Sequence, residues 1–335
     1  MHRARMYEKE REFIRCFLCP RRCQLLEGQE GGCGVRVVTG GELYTINYGL
    51  CSAIHLDPIE KKPLYHFNPG SQILSLGTYG CNLFCSFCQN WNLARGKPEA
   101  GAARFSPDDV LEMLERQGGP TQVPGVAFTY NEPTIWYEFV CDTTRLLKEH
   151  GYCNVLVTNG YINHGALHDL LPYIDALNID VKGFTNSFYQ KYCSGMIKPV
   201  METVETSVAK SHVEITCLLI PTLNDSPDEI ERLACWLAGL SLDIPLHFSR
   251  YFPHYNLDLP PTPPQTLLQA REIALKHLRY VYLGNIDLPG SADTHCPYCA
   301  NLLIARSRYH VSIPGLDGSL CRSCRNRISL VLPGG

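Results

Sequence analysis

No stretch of this 335-residue chain stays apolar for anything near the length of a membrane-spanning helix. The opening Met1-His2-Arg3-Ala4-Arg5-Met6-Tyr7-Glu8-Lys9 also lacks the apolar core of a secretory signal. These absences predict a soluble, cytoplasmic protein. Internal repeats and low-complexity runs are missing too, so no solenoid or fibrous architecture is expected. No glycine-rich phosphate loop and no Ser-His-Asp arrangement can be assembled, which sets aside P-loop nucleotide chemistry and serine-hydrolase chemistry. An excess of positive charge is lacking as well. The formal net charge of -3 argues against general nucleic-acid binding. A length of 335 residues suggests one large domain with appendages, and 45% apolar residues are ample for its core.

Cysteine, by contrast, is abundant, with 17 residues. In a small secreted chain they would imply disulfides. Here most fall in close clusters of an enzyme-sized sequence, which favours metal ligation in a reducing compartment. The most informative cluster is Cys81-Asn82-Leu83-Phe84-Cys85-Ser86-Phe87-Cys88, because Cys-x3-Cys-x2-Cys supplies three thiolates and no fourth. Three thiolates on a 4Fe-4S cluster leave one iron open. A ligand that chelates through an amine and a carboxylate, as S-adenosylmethionine does, would bring its sulfonium beside a reduced cluster. Electron transfer then breaks a carbon-sulfur bond and yields a 5'-deoxyadenosyl radical, so the hard chemistry belongs to the cofactor. The plain alternative is a zinc knuckle or a group of buried thiols.

Two further sets each offer four ligands. Cys16, Cys19, Cys23 and Cys33 suit a second iron-sulfur cluster or a structural zinc, with glycines at 28, 31, 32 and 34 letting backbone amides approach the sulfurs. Cys296, Cys299, Cys321 and Cys324 form paired Cys-x2-Cys units separated by 21 residues, the ligand arrangement of a zinc ribbon or rubredoxin-like module holding zinc or iron. Cys51, Cys141, Cys153, Cys193, Cys217 and Cys235 have no ligand spacing and read as small apolar residues.

Between the outer sets, short β-rich segments alternate with amphipathic helices, the pattern of βα units around a parallel sheet. Strands are expected near 72–78, 124–129, 154–158, 174–181, 213–220, 245–252 and 279–284. Ser106, Ser226 and Thr262 are read as helix N-caps, each followed by proline, and Gly118 and Gly151 as helix C-terminal glycines. A βα barrel places its chemistry at the C-terminal ends of its strands. The cysteine motif follows the first strand. Later strands run into Tyr130-Asn131-Glu132-Pro133, Thr158-Asn159-Gly160, Asp180-Val181-Lys182 and Pro221-Thr222-Leu223-Asn224.

The motif, with Phe87 in its aromatic slot, resembles the Cys-x3-Cys-x-aromatic-Cys signature of the radical S-adenosylmethionine superfamily. The resemblance implies that Glu132, in place of the glutamate of a Gly-Gly-Glu-Pro segment, holds the amine of the methionine half, with Asn131 replacing the second glycine. Thr158 and Asn159 resemble an Asp-Thr-Asn-Gly stretch of the activating enzymes, with Val157 in the aspartate's place. Asp180 and Lys182 match an Asp-x-Lys pair whose lysine faces the cofactor carboxylate and whose aspartate can bind a monovalent cation. Phe87, Asn131, Glu132, Thr158, Asn159, Asp180, Lys182 and Asn224 are thus the expected cofactor-binding rim. Each has a purely structural alternative: Glu132 capping the following helix, Asp180 and Lys182 as an ordinary ion pair, Asn224 turning the chain. The segment Asp57-Pro58-Ile59-Glu60-Lys61-Lys62-Pro63-Leu64-Tyr65-His66-Phe67, with Cys88-Gln89-Asn90-Trp91, is similar to the radical-SAM component of the AmmeMemoRadiSam group, relatives of pyruvate formate-lyase activating enzyme.

The expectation is therefore an α/β protein built on a partial, open (β/α)6 barrel. Residues 1–66 would form a four-cysteine segment and lead-in, 67–287 the barrel, and 288–335 a small four-cysteine metal-binding lobe. Its activity would be reductive cleavage of S-adenosylmethionine and hydrogen abstraction from an unidentified small-molecule or protein substrate, with electrons from a donor such as flavodoxin or ferredoxin. One alternative is a glycyl-radical activating enzyme. Another is a non-catalytic electron-transfer or zinc-binding module, under which Glu132, Asp180 and Lys182 would be superfluous.

Overall fold

The computed structural model describes residues 1–97 and 102–332. Seven strands lie parallel and in sequence order: Gln72–Gly77, Gly125–Phe128, Cys153–Thr158, Ala176–Asp180, His212–Leu219, Leu246–Arg250 and Val281–Gly284. They make six βα units and one closing strand, at the expected positions. Ala53–Pro58, which lies within the expected N-terminal segment, adds to Gln72–Gly77 as an antiparallel edge. Runs such as Ile73-Leu74-Ser75-Leu76 and Val126-Ala127-Phe128 are buried throughout, as strands covered on both faces must be. Helix Pro227–Leu240 turns Ile230, Leu233, Ala234 and Leu237 inward at the i, i+3, i+4, i+7 spacing that makes one apolar stripe. Burying one leucine of such a stripe contributes roughly 1.5–3 kcal/mol.

Of the helix ends read from the sequence, all but one follow the local chemistry. Ser106 and Asp109 form a reciprocal capping box, and Ser226 accepts the Glu229 amide. Gly118 and Gly151 take φ of +96° and +77° just past their helices. Thr262 caps nothing. The helix begins at Pro264, and the buried Thr262 hydroxyl instead donates to Leu219 O at 2.6 Å and accepts from Tyr251 N at 2.9 Å, tying two strand ends together.

The segment from Asp57 to Phe67 closes the base of the sheet, at the N-terminal ends of the parallel strands. Glu214, fully buried, accepts the backbone N–H groups of Tyr65 (3.0 Å) and His66 (2.7 Å) and the Nε2 atoms of His212 (2.9 Å) and His247 (2.6 Å). Burial alone would push its carboxyl up, but the two histidine contacts hold it well below the usual carboxylate range. The C-terminal lobe docks on this base. Its strands Thr294–His295, Leu302–Ser307 and His310–Ser312 enclose a small core of Leu303, Ile304, Leu316 and Ile328 against Tyr280 and Tyr282. Arg306 donates to Tyr65 O at 2.6 Å, and Tyr282 Oη meets His66 Nε2 at 2.6 Å. Among the described residues, no helix is long and apolar enough to cross a membrane.

His66 gives this base a pH signature. Burial lowers its imidazole to about 3, whereas an unfolded histidine titrates near 6.5. Below that value the unfolded chain binds a proton that the folded one refuses, so stability falls as pH drops. The expected loss is about 1.4 kcal/mol per pH unit from this group. Urea midpoints at pH 7.0 and 5.5 should converge in His66→Gln relative to the wild type; an equal acid loss in both would remove His66 from the account.

Candidate active site

A cavity of about 250 Å³ opens at the C-terminal ends of the parallel strands. The loop after Gln72–Gly77 brings Cys81, Cys85 and Cys88 into its wall. The chain enters that loop at Gly80, where φ is +92° and an added Cβ would stand 2.6 Å from Cys33 O, so only glycine fits. Backbone bonds from Phe84 N to Cys193 O and from Ser86 N to Tyr192 O, both 2.9 Å, fasten the loop to the turn at 189–193. Asn82 Nδ2 donates to Tyr161 O at 2.7 Å, and Arg95 donates to Cys81 O and Leu83 O. The loop is therefore fastened by contacts that involve no sulfur.

Phe87, Asn131, Glu132, Asn159, Asp180 and Lys182 line the same cavity. Asn131 accepts from Thr78 N at 3.1 Å and donates to Gly80 O at 2.8 Å, clamping the entry to the cysteine loop. Asn159 Nδ2 lies 3.6 Å from Cys81 Sγ, a donor aimed at a sulfur of the three-cysteine motif. Glu132 is 1% exposed and accepts from Thr134 N (2.9 Å), Thr158 Oγ1 (2.7 Å) and Asn159 N (2.8 Å). It caps the short helix Pro133–Trp136 and also faces the cavity. Burial raises its carboxyl above the ordinary value. Lys182 Nζ sits 2.9 Å from Asp180 Oδ2. Burial would lower the ammonium, but Asp180 and Cys85 together raise it well above the usual range.

Two expected rim residues stand behind the cavity rather than on it. Thr158 acts through its hydroxyl on Glu132. Asn224, 3% exposed, accepts from Ile220 N and donates to Lys182 O and Leu218 O, so it turns the chain, as its structural alternative required. Tyr130 and Trp91 are legible in the sequence only as members of longer segments, and Tyr255, Asn256 and Cys193 give no site signal. Tyr130 holds φ +71°, a left-handed conformation costly for a tyrosine, at the head of the segment carrying Glu132. Trp91 stacks on Tyr255 at 5.2 Å across the cavity mouth, and Asn256 N donates to Ser86 O at 2.9 Å. Cys193, which has no ligand spacing, is the first cause raising the Cys85 thiol well above its ordinary value, with burial second.

The C-terminal cysteines form a separate centre. Among the described residues, only Cys296, Cys299, Cys321 and Cys324 bring three or more potential ligand atoms all within 4.8 Å of one another. Two of the sulfur pairs stand 3.6 and 3.7 Å apart. Thiolates about 2.3 Å from a single ion at tetrahedral angles would be about 3.8 Å apart. The donor set therefore fits one tetrahedral ion, zinc or iron. Backbone donation from Asn326 pulls the Cys324 thiol down to about 6, towards the thiolate a metal needs.

The three-cysteine cavity is likewise suited in donor chemistry to an iron-sulfur cluster with one open iron, since its three cysteines are half-buried in one cavity wall and the motif adds no fourth. Residues 75–234 match the family described as the radical SAM superfamily. An uncharacterized protein of Methanocaldococcus jannaschii is 40% identical over 340 residues, covering 99% of this chain and all of that one. A second protein of that archaeon, provisionally described as a glycyl-radical enzyme activating enzyme, is 30% identical over 63% of this chain and 80% of its own. The crystal structure of a radical SAM methyltransferase from Sphaerobacter thermophilus, 17% identical, shares the fold with a TM-score of 0.50 over 65% of this chain and 67% of its own. The cysteine loop, the parallel sheet that carries it and these relatives converge: the chain belongs to the radical SAM superfamily.

Proposed function

We infer that this protein binds S-adenosylmethionine at a 4Fe-4S cluster held by Cys81, Cys85 and Cys88, cleaves it reductively, and abstracts hydrogen from a substrate. The observation that carries the reading is the meeting of those three cysteines with Glu132, Asp180 and Lys182 on one cavity. When bound, the cluster and S-adenosylmethionine supply the electron and the 5'-deoxyadenosyl radical. The protein's own residues hold and orient. Glu132, buried and fixed by three donors, offers its remaining lone pairs to the methionine ammonium. Lys182 offers its ammonium to the carboxylate, with Asp180 keeping it charged and in place. Phe87, 4% exposed and 5.9 Å from Phe188, supplies an apolar wall beside the cluster. The electron comes from a donor such as flavodoxin or ferredoxin.

A second reading, activation of a glycyl-radical enzyme, is favoured by the 30% identical relative described that way. Against it stands Tyr130-Asn131 where the activating enzymes are expected to carry two glycines. The AmmeMemoRadiSam resemblance carried by the segment from Asp57 to Phe67 adds nothing to the cofactor chemistry. A non-catalytic module is opposed by the Glu132 and Lys182 placements, which no electron carrier needs.

The direct test is anaerobic reconstitution, reduction, and quantification of 5'-deoxyadenosine with S-adenosylmethionine present. A companion measurement addresses Glu132. Glu132→Gln removes a charge-assisted bond worth about 1.5–3 kcal/mol, so calorimetric affinity should weaken roughly tenfold or more while iron content stays level. Unchanged affinity would leave Glu132 as a helix cap alone.

A further inference from the structure

Cys16, Cys19, Cys23 and Cys33 take no part in the chemistry above, yet all four line a single small cavity between Leu18, Leu25 and Ile135. They come from two tight turns. Cys16 N donates to Cys23 O at 2.9 Å across a strand pair, Arg22 N to Cys19 O at 3.1 Å, and Gly34 N to Gly31 O at 2.9 Å. Unlike the C-terminal set, their sulfurs do not all meet within 4.8 Å. Around one ion they would; on separate irons of a cluster, with metal and sulfide between them, they stand further apart.

The cavity is also prepared for negative charge. Arg36, 1% exposed, lines it and places Nη1 3.6 Å from Cys16 Sγ. Its Nε is buried without a partner, and its other end pairs with the fully buried Glu138. A buried guanidinium beside thiolates favours the more reduced, more negative state of a cluster they hold.

Its position matters as much as its lining. Cys33 O is packed against Gly80, the residue before Cys81. Arg21 donates to Asn82 O and lies 4.6 Å over the Phe84 ring. The two cysteine centres are thus separated by little more than the backbone of the cysteine loop.

We propose that Cys16, Cys19, Cys23 and Cys33 ligate a fully coordinated iron-sulfur cluster that passes electrons one at a time to the centre at Cys81, Cys85 and Cys88. Each transfer oxidises the first cluster by one electron and reduces the second by one. The electron is supplied by a flavodoxin- or ferredoxin-type one-electron donor and enters at Cys23, the only one of the four not fully buried. The transfer step rests on the function inferred above; the presence of the cluster does not.

The experiment compares anaerobically reconstituted wild type, Cys19→Ser/Cys23→Ser, and Cys81→Ala/Cys85→Ala/Cys88→Ala by iron, sulfide and zinc counting and by electron paramagnetic resonance. The triple variant should keep about four irons and a reduced signal that S-adenosylmethionine does not alter. The double variant should lose about four irons and keep the signal that S-adenosylmethionine does alter. Freeze-quench spectra with reduced flavodoxin should show that remaining centre filling at least tenfold more slowly than in the wild type. In the triple variant, a second zinc in place of iron, or no metal beyond the single ion of the C-terminal centre, would overturn the cluster. Equal filling rates would overturn the transfer. Should the double variant fail to fold, Cys23→Ser alone serves: an unchanged S-adenosylmethionine-insensitive signal would overturn the assignment. Wild type with both iron centres but no 5'-deoxyadenosine would instead count against the function and leave the cluster standing.

Discussion

Alanine at Cys81, Cys85 or Cys88 is expected to reduce 5'-deoxyadenosine formation to background and to remove the S-adenosylmethionine-sensitive iron-sulfur signal. Three thiolates are the minimum that leaves a single open iron, so the loss of one leaves the cluster too few protein ligands to persist. The fold should survive. The loop is fastened by Phe84 N, Ser86 N, Asn82 and Arg95 to backbone oxygens, none of which requires sulfur. Melting curves close to the wild type, with activity lost, would mark a site effect. A triple-alanine protein that still cleaves the cofactor would show that the cleavage site lies elsewhere.

The second large effect is expected at the opposite end of the barrel. Cys296→Ser/Cys299→Ser should remove one metal ion per chain and open residues 290–332 to protease. The lobe's own apolar core amounts to Leu303, Ile304, Leu316 and Ile328 with two tyrosines from the barrel side, too little to order a segment of this size unaided. A structural four-thiolate zinc contributes about 10–16 kcal/mol of apparent folding energy in small modules, so its removal should decide whether the lobe stays closed. The damage should reach Tyr65 and His66, which Arg306 and Ser329 cover, and stop there. Cluster absorbance and basal cofactor cleavage should persist. If removal of the lobe left stability normal but ended reduction by a physiological donor, the site would be a redox relay.

Much of this was legible in the sequence because it is local. Strand order followed from short β-rich segments at regular intervals, and the capping box at Ser106 from four adjacent residues. Each cysteine set followed from spacings that a loop imposes on its own ligands. What escaped depends on contacts between distant segments. Thr158 ends its strand and Asn224 lies in the turn beyond the fifth parallel strand, but whether such a side chain faces the cavity or the layer behind it is settled by packing. Cys193 lies more than a hundred residues from Cys85 and meets it through a turn that no spacing rule marks. The same holds for Glu214, whose four donors come from three separate parts of the chain, and for Tyr255, which reaches Trp91 on the loop after the sixth parallel strand.

The measurement closest to the central claim is electron-nuclear double resonance on the reduced protein with S-adenosylmethionine carrying ¹⁵N at the methionine amine and ¹⁷O at its carboxylate. Direct ligation of the open iron predicts hyperfine coupling from both nuclei at a signal that disappears in the Cys81, Cys85 and Cys88 variants, together with 5'-deoxyadenosine on warming. A reduced cluster with neither coupling, and no 5'-deoxyadenosine, would contradict it.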